Sequence, residues 1–370
     1  MNHLANYCRE LTSAAARGWN QFWFTPRDTA TLGLIRILAG LMLLYTHLVW
    51  TLELESFFGR DGWLTVAAVK SFQQGPDTPS EPVNTDEEAG QGEARDPRVE
   101  RSYAWSYFKW IDSTAVLWAV HIAGLLVFAM LVLGLYSRVV AILAFLITVS
   151  YANRVPGALF GLDDINAMLA MYLMVGPSGA AYSLDRWLAK RRMGGRAETV
   201  EPRVGANVAI RLIQIHMCVI YLFAALGKLQ GVTWWEGTAL WLAFANQEYQ
   251  TLDMTWLADW PLIVNVLTHV TVFWELAFCA LIWPRLTRPL MLALAIPLHL
   301  GIGICLGMMT FGLVMLIGCL AFVSPAIVRA TIDSLIFRNR RADAVDQAVV
   351  TPAIRQTRQK PSAKRARKLS

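Results

Sequence analysis

Eight long apolar runs constrain what this chain can fold into. A helix of roughly 20 apolar residues crosses the hydrocarbon core of a bilayer, and within that core only helices and closed barrels satisfy every backbone hydrogen bond. The pattern therefore predicts an all-α, polytopic transmembrane helix bundle of about eight spans. The runs are Leu32–Trp50, Ala115–Tyr136, Val139–Ala152, Phe160–Val175, Val208–Leu226, Leu262–Trp283, Pro289–Leu306 and Met308–Val323. The third and fourth runs are also short enough to form a re-entrant pair or short buried helices.

The composition agrees with a protein that lies in a membrane. Hydrophobic residues make up 55% of the 370-residue chain and charged residues 16%, whereas soluble domains carry roughly a quarter charged residues. The five cysteines form no CxxC pair and indicate neither a disulfide framework nor a metal site. The N-terminus has no cleavable leader pattern, so the first apolar run is expected to stay as an anchor. We predict a multi-pass protein of the cell (inner) membrane.

The positions of the basic residues predict the topology. Cytoplasmic loops accumulate lysine and arginine, and the basic loops of this chain all follow even-numbered runs: Arg138, the segment 186–196, the pair Arg285 and Arg288, and the C-terminal tail. The acidic loop 53–112 and the tryptophan-rich loop 234–260 fall on the opposite side. Both termini are therefore predicted to be cytoplasmic.

Three segments follow from this topology. Residues 1–21 are predicted to be an N-terminal cytoplasmic segment, 22–328 the transmembrane domain, and 329–370 a basic, disordered cytoplasmic tail. The loop insertion 73–98 is rich in glycine, proline and acidic residues and is also predicted to be disordered. A solvated tail with weak attraction to anionic headgroups explains the basic residues better than a nucleic-acid partner, which we do not expect.

Several ionisable residues fall inside the apolar runs, where charge is costly and usually functional. Lys228 ends the fifth run at its outer face, and Asp163 and Asp164 begin the fourth run at the same face, where opposite charges can pair. Glu275 and His299 lie deeper in the sixth and seventh runs. These residues predict a polar chamber that opens away from the cytoplasm. His216 fits either a packing role or this chamber equally well.

The surroundings of Lys228 decide what it can do. Removing water disfavours the ammonium, so that a neutral amine becomes available as a base. Trp234, Trp235 and Glu236 follow closely, and Gly231 and Gly237 allow the chain to fold back over the helix end. The competing interpretation is an interfacial anchor of lysine and tryptophan, which many membrane helices carry.

The segment around Lys228 resembles a known family. The stretch "YLFAALGKLQGVTWWEGTAL" is similar to the segment that vitamin K-dependent gamma-carboxylase shares with the HTTM-domain membrane proteins. Further similar stretches, in the family's order, are "FWFTPRDTATLGLIRILAGLMLL", "NRVPGALFGLDDINAMLAMYLMVGP", "LTHVTVFWELAFCALIWP" and "PLHLGIGICLGMMTFGLVML". The resemblance covers roughly Phe22 to Val323.

The resemblance implies a carboxylase that uses a reduced naphthoquinone of the vitamin K type, with dioxygen and carbon dioxide as co-substrates. A lysine base, here Lys228, deprotonates the quinol, and an alkoxide formed after dioxygen adds removes the γ-proton of a glutamate side chain. His299 joins Lys228 as a catalytic candidate. Asp163, Asp164, Asn166, Trp234, Trp235, Glu236, Glu275 and His216 are implied to line the pocket. A protein or peptide substrate would approach from the non-cytoplasmic side. The alkoxide requires a water-poor pocket, which Trp234, Trp235, Phe223 and Tyr221 are expected to line.

The sequence departs from the carboxylase pattern at two points. Asn166 occupies the position that best matches a functional histidine, and an amide carries no proton charge. The last run is followed by a basic tail, whereas the carboxylase continues into a large extramembrane domain. Two hypotheses therefore remain: a quinol-dependent carboxylase or epoxidase, and a non-catalytic membrane protein that transports, binds or scaffolds through the same chamber. Nucleotide-binding, zinc-protease and serine-hydrolase motifs are absent from the sequence.

Overall fold

The computed structural model describes residues 2–65, 68 and 69, 105–194 and 201–335. Within these ranges the chain is helical, with short 3₁₀ turns between the helices. The predicted disordered insertion at 73–98 and most of the basic tail lie outside the described residues. The helices are α1 (Asn2–Phe24), α2 (Ala30–Trp50), α3 (Leu54–Phe58), α4 (Thr114–Leu133), α5 (Ser137–Arg154), α6 (Gly161–Val175), α7 (Leu184–Arg192), α8 (Val204–Leu229), α9 (Val232–Trp235), α10 (Ala239–Ala245), α11 (Pro261–Leu281), α12 (Arg288–Cys305) and α13 (Met309–Cys319).

Each of the eight apolar runs coincides with a helix, which confirms the all-α prediction. Five segments of the described chain are long and apolar enough to cross a membrane, and a sixth is added if Met309–Phe322 and Pro325–Leu335 form one broken span. The protein is therefore a multi-pass integral membrane protein in contact with lipid. The count of eight is not confirmed, and the placement of both termini in the cytoplasm stays a prediction. The five are the segment Ala30–Phe58 that contains α2, and α4, α8, α11 and α12.

The two apolar runs that were short in the sequence form helices outside these five. Helix α5 has 18 residues and α6 has 15. At 1.5 Å per residue, α6 is about 22 Å long, shorter than the roughly 30 Å hydrocarbon core. Helix α6 packs against α2, α5, α8 and α13, and seven of its side chains are buried. Helix α6 is thus enclosed by other helices, which agrees with the sequence-based alternative that the short runs form buried helices.

The main apolar core lies where α2, α6, α8, α11, α12 and α13 meet. Helix α8 contacts α11 along its length, and α12 contacts α13. Arg211 of α8 lies near Trp283 just after α11, whereas Tyr221, further along α8, contacts Trp274 and Phe278 of α11. These contacts make α8 and α11 antiparallel, so that the end of α8 faces the middle of α11.

A tight turn joins α4 to α5 at the end predicted to be cytoplasmic. Gly134 has a φ of 67°, and a side chain there would collide with the buried guanidinium of Arg36, so only glycine suits the position. The Asp185 carboxylate accepts hydrogen bonds from the Tyr136 and Ser137 N–H groups and the Ser137 hydroxyl. Burial alone would raise the pKa of Asp185, but these hydrogen bonds and the charge of Arg36 hold it below the usual value.

Helices α12 and α13 approach closely beside the candidate site. A side chain at Gly312 of α13 would meet the carbonyl oxygen of His299 in α12. Small residues let helices in a membrane approach closely enough to gain van der Waals contact. Gly312 therefore sets the distance of His299 from its neighbours.

Candidate functional site

Lys228 and Glu275 form an ion pair within the bundle. The Lys228 Nζ lies 2.7 Å from Glu275 Oε2 and 3.0 Å from Oε1. The Glu275 side chain is 8% exposed and that of Lys228 is 24% exposed. The carboxylate is thus enclosed by protein, while the ammonium retains access to the outside.

The direction of the two side chains explains how residues at different depths meet. Side chains of a helix lean toward its N-terminus. Because α8 and α11 are antiparallel, Lys228 leans into the bundle from the end of α8, and Glu275 leans out toward it. The sequence analysis placed Lys228 level with Asp163 and Asp164, but the partner that the structure brings to its ammonium is Glu275.

A second hydrogen-bonded group lies about two turns of helix deeper, at Tyr221 of α8. The Tyr221 hydroxyl is 2.6 Å from His299 Nε2 and 3.4 Å from the Cys319 Sγ. All three side chains are buried, and they come from α8, α12 and α13. Tyr221 precedes Lys228 by seven residues, which is close to two full turns, so the two lie on one face of α8. The face of α8 that carries Lys228 is therefore polar at two levels.

Two buried polar atoms beside this group have no hydrogen-bond partner among the described residues. They are the indole N–H of Trp274 and Nδ1 of His299. The Trp274 ring packs edge-on against Tyr221, with 5.1 Å between ring centroids, and lies 6.4 Å from the His299 ring. Buried polar groups are normally paired, so a donor and a ring nitrogen here are available to a ligand.

The segment after Lys228 covers the end of α8, as its glycines predicted. The Lys228 Nζ lies 5.4 Å from the centre of the Trp234 ring, a cation–π distance. Trp235 is exposed, and its indole N–H donates to the Leu229 carbonyl. Glu236 is also exposed. Trp234 is thus the ring of this segment that lies over the Lys228 ammonium.

The backbone of this segment is held by α11. Asn265 Nδ2 donates to the Glu236 carbonyl at 3.1 Å, and His269 Nε2 lies 3.2 Å from the Trp235 carbonyl. Gly237 has a φ of 75°, and the Asn265 amide fills the place where its side chain would lie. The cover over Lys228 is therefore fixed to the helix that carries Glu275.

His216 occupies a third position, between α8 and α6. Its Nδ1 lies 3.0 Å from the Tyr172 hydroxyl, and neither side chain contacts the ion pair in the described structure. This hydrogen bond joins two packed helices, and a role for His216 in the chamber stays a prediction.

The remaining predicted site residues belong to a separate group between α2, α5 and α6. Asn166 and Asp163 line a cavity of about 20 Å³ together with His47. The Asn166 Oδ1 and His47 Nε2 are buried and without partners among the described residues. The His47 Nδ1 is 2.7 Å from the Leu43 carbonyl and must donate to it, so Nε2 is an acceptor.

The two acidic residues of this group differ in exposure. The Asp163 carboxylate accepts a hydrogen bond from the Phe160 N–H and so caps the start of α6. Asp164 is exposed. The structure thus divides the predicted chamber into two: Lys228, Glu275, His299 and Trp234 on one side, and Asn166 with Asp163 on the other.

A much larger cavity of about 670 Å³ lies elsewhere, at the α4–α5 turn. Its lining includes Arg138, Asp185 and Arg203 and none of the predicted site residues. The largest of these cavities therefore does not coincide with the candidate site, which is identified instead by ionisable side chains buried within the bundle.

The hydrogen-bonding groups of two residues in the site were not predicted from the sequence. The sequence analysis had no reason to give the Tyr221 hydroxyl or the Trp274 indole a partner. The seven-residue spacing from Tyr221 to Lys228 was a usable signal, as was the position of Trp274 directly before Glu275. Phe223 was expected to line the pocket, but it is 67% exposed and lies on the side of α8 opposite Tyr221 and Lys228.

Comparison with known proteins gives one partial similarity. Sporulation-delaying protein SdpB of Bacillus subtilis (strain 168) is 32% identical over 120 residues, which are 31% of this chain and 37% of SdpB. The match therefore spans little more than a third of that relative. No protein-family model matches the chain, and no solved structure matches it. The chain is an integral membrane protein distantly related to SdpB.

Proposed function

We propose that this protein is a membrane-embedded enzyme in which Lys228 removes a proton from a lipid-soluble quinol. The observation that carries the proposal is the Lys228–Glu275 ion pair, with its enclosed carboxylate and partly exposed amine. The resemblance of the surrounding segment to vitamin K-dependent gamma-carboxylase supports the same role.

Glu275 gives Lys228 a route to the basic form. An ammonium within 3 Å of a carboxylate can transfer its proton, and a neutral pair avoids the cost of holding two charges away from water. Proton transfer to Glu275 leaves Lys228 as a neutral amine, which then accepts the proton of a quinol hydroxyl. The net change is one proton moved from the quinol to the Lys228–Glu275 pair.

The residues beside the pair are suited to a reduced naphthoquinone. The Trp274 N–H, which has no partner within the part of the chain that the structure describes, would donate to a ring oxygen, and His299 Nδ1 would offer a second polar contact. When bound, the quinol supplies an acidic hydroxyl and electrons for dioxygen. Trp234 and the buried Tyr221 help to exclude water, which protects a strongly basic intermediate.

Carboxylation of glutamate is the finer part of the proposal. It requires carbon dioxide and a protein or peptide substrate on the non-cytoplasmic side. Asn166 stands where the resemblance expects a histidine, and it lies in the group with His47 rather than beside Lys228. We therefore propose quinol deprotonation as the first activity to measure and glutamate carboxylation as the second.

The test is quinol epoxidation by purified protein in lipid nanodiscs, followed by mass spectrometry. We expect Lys228→Ala to lower the rate about 100-fold or more, the usual contribution of a positioned general base. Lys228→Arg should be equally inactive, because a guanidinium pairs with Glu275 but does not deprotonate. Lys190→Ala, at an exposed lysine of α7, is the matched control. Wild-type turnover in Lys228→Ala would remove Lys228 from the mechanism.

A non-catalytic role is the second candidate, and one observation favours it. Both oxygens of Glu275 already contact the Lys228 ammonium, which suits a structural or binding role. In that case Lys228→Arg should retain quinol binding and folding, and wild-type protein should show no epoxidation under any condition. Binding of a naphthoquinol without turnover would favour this candidate.

A further inference from the structure

Helix α1 is strongly two-sided. At 100° per residue, Leu4, Tyr7, Leu11, Trp19 and Phe22 fall on one side of this 23-residue helix. The opposite side is polar and carries Asn6, Arg9, Ser13, Arg17 and Asn20. A pattern of this kind is typical of a helix that lies at a boundary between water and an apolar phase.

The apolar side of α1 is uncovered over most of its length. Leu4 is 72% exposed, Tyr7 62%, Leu11 55% and Trp19 61%. From Leu4 to Trp19 the bare stripe is about 22 Å long at 1.5 Å per residue. A continuous apolar stripe of this size on a protein surface indicates an interaction site.

The last turn of α1 is fastened to the transmembrane bundle. Asn207 Nδ2 donates to the carbonyls of Phe22 and Trp23 at 2.7 and 3.0 Å. The Arg211 guanidinium lies 4.2 Å from the centre of the Phe22 ring, and Trp283 packs against the same ring. Asn207 is in the first turn of α8, and Trp283 follows α11. The anchor is therefore at the bundle end that the basic loops predict to be cytoplasmic.

Positive charge collects at this anchor. Burial, together with the charges of Arg211 and Arg288, lowers the pKa of Arg27 to about 10. Arg27 also pairs with Arg203 through two backbone hydrogen bonds. Several guanidinium groups at one end of a bundle favour anionic headgroups in the adjacent leaflet.

We propose that α1 is an interfacial helix that binds the surface of the bilayer in which the bundle is embedded, with a preference for anionic lipid. Its bare stripe would lie among the headgroups and upper acyl chains, and Arg9 and Arg17 would face the headgroup phosphates and water. The polar side of α1 makes it unfavourable for this helix to cross the bilayer. The anchor connects α1 directly to helices that enter the membrane, so the lipid surface is the partner nearest to the stripe.

The test uses full-length protein in nanodiscs and a spin label on Cys8, an exposed native cysteine next to the apolar stripe. Collision with dioxygen reports lipid, and collision with a water-soluble nickel chelate reports water. The matched position is Asn6, about 200° away around the helix, labelled as Asn6→Cys in a Cys8→Ser background. Labelled Cys8→Ser protein supplies the background from the four cysteines in the spanning helices.

We expect a dioxygen-to-nickel ratio several-fold higher at Cys8 than at position 6, and higher in anionic than in zwitterionic nanodiscs. Leu4→Glu should lower the ratio at Cys8, whereas Asn6→Glu, the same charge change on the polar side, should not. Equally low ratios at the two positions would show that α1 lies in water, and equally high ratios would show that both of its sides meet lipid; either result would overturn the proposal. If neither reagent reaches the label at Cys8, and if coupling between labels disappears when unlabelled protein is added, the apolar stripe binds a second copy of the chain. That result would also overturn the proposal.

Discussion

Removing Lys228 from the Lys228–Glu275 pair is predicted to cost more stability than removing Glu275. Removing one partner of a fully buried pair costs about 3–5 kcal/mol, because the other charge is left buried. Lys228→Met leaves Glu275, which is 8% exposed, without its cation. We expect a loss of about 3 kcal/mol, near the lower end of the range because the pair opens to one side.

The reverse substitution should cost less. Glu275→Gln leaves the Lys228 ammonium, which is 24% exposed and has a flexible chain that can reach the headgroups. A hydrogen bond to a charged group contributes about 1.5–3 kcal/mol, and we expect a loss near the lower end of that range because the ammonium can regain polar contacts. In the double variant no unpaired charge remains, so its loss should fall short of the sum by about 1–3 kcal/mol.

The assay is reversible unfolding of all four proteins by SDS in mixed micelles, with helix content followed by circular dichroism. Which single variant loses more stability tests whether Glu275 is the more enclosed partner. The difference between the loss in the double variant and the sum of the single losses tests whether the two side chains interact. Strictly additive losses in the double variant would refute the conclusion that these side chains interact. A larger loss for Glu275→Gln than for Lys228→Met would refute the assignment of the carboxylate as the enclosed partner.

Three further outcomes follow from contacts described above. Tyr221→Phe should destabilise the fold by about 1–3 kcal/mol in the same assay, because neither ring nitrogen of His299 would then have a partner among the residues described. An unchanged unfolding midpoint would count against that hydrogen bond. Gly134→Ala should greatly lower the yield of folded protein, since a side chain there meets Arg36, whereas Gly301→Ala, where a methyl group meets no neighbour, should express normally. Asp185 has a native pKa below its unfolded value, so its stabilising contribution is complete above about pH 4 and is lost as the pH falls through the native pKa. Thermal unfolding from pH 7 to 3 should therefore show wild type converging on Asp185→Asn only at the acid end.

The positions of the helices follow from the sequence more readily than their polar contacts. Each apolar run predicted a helix because a span in lipid requires both hydrophobicity and internal hydrogen bonding. The enclosure of α6 could not be read from its composition, which resembles that of a span. Its 15-residue length and its neighbours decide its place.

Partner choice in the site depends on side-chain direction, which a hydropathy pattern does not contain. Counting residues places Lys228 at the outer face with Asp164, yet its long side chain leans inward to Glu275. Asp164 is exposed, and Asp163 caps its own helix. The grouping of Asn166 with His47 likewise depends on the packing of α2 against α6, which one sequence without tertiary information cannot specify.

The ion pair also has a consequence for how the bundle assembles. Apolar helices in lipid gain little from burying one apolar face rather than another, so α8 and α11 could slide or rotate past each other at small cost. A rotation of α8 by one residue, about 100°, would turn Lys228 from Glu275 toward acyl chains. The ion pair therefore fixes the rotation of α8 relative to α11. It selects one register of the two helices from several that bury similar amounts of apolar surface.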